Sequence, residues 1–224
     1  MKLYGTYTQP LIMPIKQNWR QAWYNKAFRK GSVFGIVGLL LMLVFTYYFL
    51  NYSEDRDGGI VMNDWVLDRI PARDVSMPIT FCIATVMLLF TLRCLSNPNM
   101  LLTFLIAFIF ILVTRIITIS VTELRPPTGL IKLDDPICNL MYHSRFITRD
   151  LFYSGHTATL FLFYLCASKK PDRYYMFFAT VAIGILVLVQ HVHYTIDVVC
   201  APFFAFGCYW LAKKILLRLG AFVR

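Results

Sequence analysis

Residues 99–121 read NMLLTFLIAFIFILVTRIITISV, and Arg115 is the only charged residue among them. About 20 consecutive apolar residues suffice for a helix to cross the hydrocarbon core of a bilayer, so this stretch predicts a transmembrane helix. Comparable stretches recur along the chain, of whose 224 residues 58% are hydrophobic and 15% charged. The sequence therefore predicts an all-α fold, a six-transmembrane helical bundle. The other five predicted spans are residues 33–51, 77–95, 154–168, 174–192 and 195–216.

The predicted spans divide the chain into one membrane domain and two polar ends. We expect a basic and aromatic N-terminal segment over residues 1–32, a six-span membrane domain over 33–216 and a basic tail over 217–224. The first thirty residues lack the short apolar core and small-residue cleavage site of a secretory signal peptide. We therefore expect the first span to remain as an anchor.

Residues 15–30 of the N-terminal segment have the pattern of an amphipathic helix. Trp19, Trp23 and Ala27 recur every four residues, and Lys and Arg lie largely elsewhere. This pattern predicts a short helix lying at the membrane interface. The alternative is a plain basic flank that only fixes the topology of the first span.

Lys and Arg are distributed unevenly among the segments that connect the predicted spans. Cytoplasmic segments near membrane ends retain Lys and Arg, and both are frequent before the first span, after the fourth and after the sixth. We therefore predict that both termini are cytoplasmic. The remaining loops would then lie on the periplasmic, lumenal or extracellular face. Because the net charge of +10 sits beside membrane spans, we expect no nucleic-acid partner.

The first candidate motif is DLFYSGHT, residues 150–157, at the start of the fourth predicted span. The start of a helix has free backbone N–H groups and a positive dipole end, both of which favour an anion. Hydroxyl groups and the imidazole of His156 add polar contacts and a group that can transfer a proton. This arrangement is typical of a phosphate-binding site, with Ser154 and Gly155 at the phosphate.

The second candidate motif is HVHYTIDVV, residues 191–199, at the start of the sixth span. His193 and Asp197 are four residues apart, which predicts that they share one face of the incoming helix. A carboxylate beside one imidazole nitrogen fixes the tautomer and makes the other nitrogen a better nucleophile or base. The predicted topology brings this motif to the same membrane face as His156.

Three other interpretations of these residues remain open. A histidine at a membrane edge can be interfacial decoration, and a His/Asp pair can be a hydrogen bond between packed helices. His191, His193 and Asp197 can also form a metal site, but residues two apart on a helix point in different directions. We therefore expect no metal and no cofactor.

Both motifs closely resemble the catalytic motifs of the sphingomyelin synthase family, a branch of the type 2 phosphatidic acid phosphatase superfamily. A third segment, RIITISVTELRPP at residues 115–127, is similar to the family's Arg-x-x-Thr-x-x-Val-Thr-x-Leu-x-x-Pro motif. The resemblance extends from about residue 100 to 202 and includes the six-span layout. It departs at Thr148 and Arg149, where animal members have Cys-Gly.

The resemblance implies a metal-independent lipid phosphotransferase, which moves a phosphoalcohol group from a glycerophospholipid to a lipid alcohol such as ceramide or diacylglycerol. His193 would attack phosphorus, Asp197 would orient it, and His156 would protonate the departing oxygen and later deprotonate the acceptor. A guanidinium offers a bidentate fork to phosphate, so the residues that would hold the substrate include arginines. The candidates for this role are Arg115, Arg125 and Arg149, and further site candidates are Asp150 and Tyr194.

Two other functions, one of them non-catalytic, compete with this one. A lipid phosphate phosphatase would use water as the acceptor, and such enzymes typically carry Ser-Arg where this sequence has Leu186 and Val187. That difference favours the transferase. The third hypothesis is a non-catalytic membrane protein or a lipid scramblase that retains the pocket.

Overall fold

The computed structural model of the protein describes residues 15–133 and 147–222. Residues 1–14 of the predicted N-terminal segment and 223–224 of the predicted tail lie outside this part. The described residues form seven α-helices, with one 3-10 turn at Leu67–Arg69 and no strand. The helices are α1 (Ile15–Tyr24), α2 (Lys26–Glu54), α3 (Ser76–Ser96), α4 (Pro98–Thr122), α5 (Gly155–Cys166), α6 (Lys170–Val189) and α7 (Thr195–Arg218).

Five of these helices, α2, α3, α4, α6 and α7, are long and apolar enough to cross a membrane. This supports a multi-pass membrane protein. The fourth predicted span, 154–168, corresponds to α5, which has 12 residues and is therefore about 18 Å long. A typical hydrocarbon core is about 30 Å thick, so a membrane crossing by this helix remains a prediction.

The helices begin and end where local caps place them, which shifts two predicted spans. The first begins at Lys26 instead of residue 33, because the side chain of Asn25 accepts hydrogen bonds from two backbone N–H groups at the start of α2. The fifth begins at Lys170, with Pro171 in its first turn, and ends at Val189. Residues 190–192, predicted as helical, form a turn instead.

The predicted amphipathic helix exists as α1, but it ends earlier than expected. The cap at Asn25 starts a new helix, so Ala27 belongs to α2 and does not continue the stripe of Trp19. The indole N–H of Trp19 donates to the carbonyl of Leu95 over 2.7 Å, whereas Trp23 is exposed. The helix is therefore bound to the end of α3 through one of its two tryptophans.

The bundle is organised around α4, which packs against α2, α3, α5 and α7. The most apolar of the described helices, α4 has buried side chains along most of its length. Beside α4, α5 packs between α6 and α7. This packing brings the beginnings of α5 and α7 together at the end of the bundle where α4 finishes.

The connections at that end of the bundle hold one another by backbone hydrogen bonds. Two backbone hydrogen bonds join the loop at Ile60 to the segment that follows α4. The N–H of Ile60 donates to the carbonyl of Glu123, and the N–H of Arg125 donates to the carbonyl of Ile60. Gly59 lies beside this crossing with φ +100°, and a Cβ there would be 2.8 Å from the Glu123 carbonyl oxygen. Glycine is therefore required at residue 59 for the loops to meet.

Candidate active site

His156 lies in the first turn of α5, the helix that Ser154 caps. The Ser154 hydroxyl accepts from the backbone N–H of Thr157 over 3.4 Å, and the Thr157 hydroxyl lies 3.1 Å from it. The backbone N–H of Ser154 donates to the carbonyl of Asp197 over 3.1 Å. This last bond ties the first motif directly to the second.

His193 and Asp197 form a buried pair, with exposed fractions of 4% and 0%. His193 lies in the turn before α7, not on a face of that helix as predicted, since α7 begins at Thr195. Nδ1 of His193 and Oδ2 of Asp197 are 3.4 Å apart. The same Oδ2 accepts from the backbone N–H of Tyr194 over 3.0 Å. The carboxylate thus both caps the helix to which it belongs and lies beside the imidazole.

The alignment of this pair is looser than that of a hydrogen bond. Within the described part of the chain, neither Nδ1 of His193 nor Oδ1 of Asp197 has a hydrogen-bond partner. At 3.4 Å the buried carboxylate of Asp197 still favours the imidazole tautomer whose proton is on the facing Nδ1. Nε2 of His193 is then the nitrogen left for chemistry.

The two histidine rings face each other across a short gap. The ring centroids of His156 and His193 are 6.3 Å apart, with an angle of 67° between the rings. One imidazole comes from the start of α5 and the other from the turn before α7. A tetrahedral group between them would have a nitrogen on either side, which is the arrangement for attack at one side and proton transfer at the other.

Arg115 reaches the start of α5 from the C-terminal third of α4. Its Nε donates to the carbonyl of Tyr153 over 3.0 Å, and its Nη2 pairs with the carboxylate of Asp150. A Cβ on Gly155 would lie 2.5 Å from Nη1 of Arg115, so the guanidinium rests directly against the glycine. Gly155 is thus the residue that admits Arg115 to the site.

Two threonines of α4 fix the chain just before the capping serine. The Thr118 hydroxyl donates to the carbonyl of Phe152 over 2.7 Å, and the Thr114 and Tyr153 hydroxyls are 2.9 Å apart. Thr114 and Thr118 are four residues apart and share a face of α4. Their spacing in the sequence indicates that they lie on one face of a helix. The contacts in the structure show that this face holds residues 152 and 153.

Arg125 and Arg149, the other predicted phosphate-binding arginines, contact a different part of the molecule. Nε of Arg125 donates to the Gly58 carbonyl over 2.9 Å, and the backbone N–H of Arg149 donates to Glu54 over 3.0 Å. Both side chains lie against the turn at Gly59. Of the three arginines, Arg115 is the one whose described contacts bring it to Gly155.

Tyr194 and His191 have hydrogen bonds that hold loops in place. The Tyr194 hydroxyl donates to the Arg125 carbonyl over 2.9 Å and accepts from a backbone N–H over 3.1 Å. Both ring nitrogens of His191 lie 2.9 Å from carbonyl oxygens, those of Thr128 and Ile70. His191 stands in the turn with φ +57°, not on a helix as the sequence suggested, and carbonyl contacts occupy both of its nitrogens.

Asp64 is a structural residue of the site that the sequence did not indicate. Its carboxylate accepts from the backbone N–H of Thr195 over 2.6 Å and from the Thr195 hydroxyl over 2.9 Å. Burial alone would raise the pKa of Asp64, but these bonds, with others from Val66 and Leu67, lower it below its ordinary value. Asp64 lies in a loop, 131 positions from Thr195, so no periodic pattern in the sequence predicts this contact.

An apolar groove runs between α4 and α7, on the parts of these helices that lie away from the histidine end of the bundle. Its volume is about 390 Å³, and it opens to the surroundings at Phe203, which is 74% exposed. At its upper end Thr114 and Phe204 both contact Tyr153, whose ring stacks on Phe204 at 4.4 Å. The groove therefore ends beside the chain that leads into Ser154.

The comparisons with known proteins point to one superfamily. A family model described as PAP2 superfamily C-terminal matches residues 149–214, which include His156, His193 and Asp197. The match supports the type 2 phosphatidic acid phosphatase superfamily, whose members are generally enzymes that act on phosphate esters. A search of curated proteins found no match.

Proposed function

We propose that the protein is a membrane phospho-head-group transferase of the sphingomyelin synthase type, acting through a phosphohistidine. The observation that carries the proposal is the pair of imidazoles, 6.3 Å apart, with Asp197 behind His193 and Arg115 against the capped start of α5. These groups supply a nucleophile, its orienting carboxylate, a proton carrier and a cation for the phosphate. Superfamily chemistry on phosphate esters agrees with this division of roles.

In the first half-reaction Nε2 of His193 attacks the phosphorus of a glycerophospholipid. A P–N bond forms and the bond from phosphorus to the glycerol oxygen breaks. His156 donates its proton to that oxygen, so diacylglycerol leaves as an alcohol and the head-group phosphate stays on His193. Asp197 stabilises the positive charge that develops on the attacked imidazole.

In the second half-reaction the lipid alcohol takes the head-group. His156, now neutral, removes the proton of the acceptor hydroxyl while the hydroxyl oxygen attacks phosphorus. The P–N bond breaks, the electron pair returns to His193, and His156 is again protonated. The donor and the acceptor both use the same pair of histidines, so the two lipids react in turn.

The charge around Arg115 favours a phosphodiester donor over a phosphomonoester. Asp150 already pairs with this guanidinium, and Leu186 and Val187 are apolar where a phosphatase typically has Ser-Arg. A monoester carries close to two negative charges near neutral pH, as phosphoserine does, whereas a diester carries one. A site with less positive charge suits the diester.

The groove between α4 and α7 supports a lipid substrate. Its walls are almost entirely apolar, and its upper end meets Tyr153 within two residues of the helix start that would hold the phosphate. A hydrocarbon chain attached to a phosphate at Ser154 and Gly155 would extend away from the histidines into this groove. Exclusion of water by lipid would protect the phosphohistidine until an alcohol arrives.

The test is reconstitution of the purified protein with phosphatidylcholine, phosphatidylethanolamine or phosphatidylinositol and a fluorescent ceramide or diacylglycerol. We expect a new phospholipid or sphingophospholipid by mass spectrometry, in an amount that rises with the acceptor, and none with His193→Ala. Faster release of inorganic phosphate from phosphatidic acid than formation of any transfer product would replace the transferase with the phosphatase. No turnover of any phosphate ester would leave the non-catalytic alternative.

A further inference from the structure

A second polar pocket lies at the opposite end of the bundle from the histidines. It has a volume of about 280 Å³ and forms where α4 begins, α5 ends and the last turns of α7 pass by. Asn97, Ser168 and Tyr209 contribute polar groups to its wall, and Arg173 and Lys213 contribute cations. The mechanism proposed above uses none of these residues.

The positive charge of this pocket is not neutralised by the described part of the protein. Lys213 and Arg173 have no carboxylate within ion-pair distance there, and no Asp or Glu lines the pocket. Asp172, the neighbour of Arg173, is turned toward Arg93, whose Nε and Nη2 donate to it over 2.7 and 3.0 Å. The nearest acid in sequence is therefore already used.

Tyrosine side chains position the two cations without removing their charge. Nη2 of Arg173 donates to the Tyr164 hydroxyl over 3.3 Å, and the guanidinium carbon lies 4.8 Å from the centre of that ring. Nζ of Lys213 donates to the Tyr209 hydroxyl over 3.3 Å. Each cation retains further N–H donors, since Arg has five and Lys has three.

We propose that this pocket binds the phosphate group of an anionic phospholipid from the leaflet opposite the histidines. Two cations and several neutral donors around one volume suit a group with several acceptor oxygens. The pocket lies at the membrane end of a helical bundle, and Met100, Leu165 and Phe222 make its other walls apolar. A ligand with both a phosphate and an apolar glycerol ester therefore fits the lining better than free phosphate does.

Neighbouring lysines on α7 provide a matched test. Lys213 lines the pocket, whereas Nζ of Lys214 lies 4.6 Å from the centre of the Trp210 ring, outside it. Lys213→Gln and Lys214→Gln change the net charge equally, so a difference between them reports the pocket and not the general surface charge. Arg173→Gln combined with Lys213→Gln removes both cations.

The experiment measures lipids retained by the purified full-length chain in native mass spectrometry, after exchange into detergent containing phosphatidylglycerol or, for comparison, phosphatidylcholine. We expect occupancy by one phosphatidylglycerol to fall at least fivefold in Lys213→Gln and further in the double variant, with Lys214→Gln unchanged. Equal occupancy in Lys213→Gln and Lys214→Gln would overturn the proposal. Millimolar inorganic phosphate that displaces the lipid completely would assign the pocket to free phosphate instead.

A thermal unfolding measurement keeps the result interpretable if a variant is unstable. Phosphatidylglycerol should raise the unfolding temperature of the wild-type protein and of Lys214→Gln, and raise it less in Lys213→Gln. A lipid that stabilises all three proteins equally contradicts the pocket. Because lipid binding at this end does not require turnover, its failure and the failure of the proposed transfer reaction are separate outcomes.

Discussion

At Gly155 the constraint on residue type comes from a side chain of another helix. A Cβ there would lie 2.5 Å from Nη1 and 2.8 Å from Cζ of Arg115, closer than real Cβ contacts allow. The guanidinium cannot retreat freely, since Tyr153 and Asp150 both hold it. One methyl group therefore displaces the cation that we assign to the substrate phosphate.

We predict that Gly155→Ala lowers turnover about 100-fold, because misplacement of a positioning group by about 1 Å has an effect of that size. The measurement is the rate of head-group transfer at saturating acceptor, together with KM for the donor. Gly31→Ala, at the opposite end of the bundle, is the control, since the nearest atom to a Cβ at residue 31 is Leu102 Cδ1 at 3.4 Å, an ordinary contact. Activity of Gly155→Ala within twofold of the control would contradict the role of Arg115.

The roles of the two histidines separate when the leaving group no longer needs a proton. With a p-nitrophenyl phosphodiester as donor, His156→Ala should still release p-nitrophenol in a burst of about one equivalent, because His193 can attack and the phenolate leaves unprotonated. His193→Ala should give no burst, and Asp197→Asn a slow one. Stopped-flow absorbance measures the amplitude. A full burst in His193→Ala would place the nucleophile elsewhere.

At the scale of the element, the start of α7 is held by a carboxylate from a distant loop. Asp64 accepts from the N–H and the hydroxyl of Thr195, and Tyr194 and Asp197 lie in the same turn. The position of His193 thus depends on how this helix begins. A carboxylate at a helix N-terminus is worth about 1 kcal/mol of stability.

We predict that Asp64→Ala lowers the unfolding temperature at neutral pH and that the deficit shrinks in acid. The pKa of Asp64 is lowered from its ordinary value of 3.8 in the folded protein, so its contribution is fully present above that value. It is lost as the pH falls through the lower folded pKa. Thermal unfolding in detergent between pH 7 and pH 3 measures this, with Asp68→Ala, an exposed residue of the same loop, as control. A deficit that is constant across this range would exclude the charge of Asp64 as its cause.

The sequence predicted elements better than it predicted the contacts between them. An apolar stretch such as residues 99–121 identifies a helix whatever surrounds it, because the bilayer demands one. The pair of Arg115 and Asp150 and the cap of α7 by Asp64 join residues far apart in the chain, and only the packing of helices brings them together. His193 lies outside the helical face predicted for it for a local reason, since the carboxylate of Asp197 accepts from the N–H of Tyr194 and the helix begins at Thr195, after His193.

Over the whole molecule, the two ends of the bundle differ in charge. The loops at the histidine end contain acidic residues such as Asp57, Asp64 and Glu123, and the other end has Lys and Arg at the start of α2 and α6 and in the last turns of α7. Lys and Arg remain on the cytoplasmic side during insertion. From this distribution we predict an orientation in which the candidate active site faces away from the cytoplasm and the second pocket faces toward it.

We predict that a cysteine at the histidine end is labelled from outside intact cells and that one at the other end is not. Asp57 and Ser168 are exposed residues at the two ends, so Asp57→Cys and Ser168→Cys in a background without native cysteines report the two faces. A membrane-impermeant maleimide should label Asp57→Cys in intact cells, or in sealed vesicles whose outer face corresponds to the non-cytoplasmic side. Ser168→Cys should react only after permeabilisation, and both should react equally once the membrane is dissolved. The reverse pattern would invert the orientation, moving the transfer reaction to the cytoplasmic leaflet and the second pocket to the opposite one, while leaving the chemistry of His156, His193 and Asp197 as proposed.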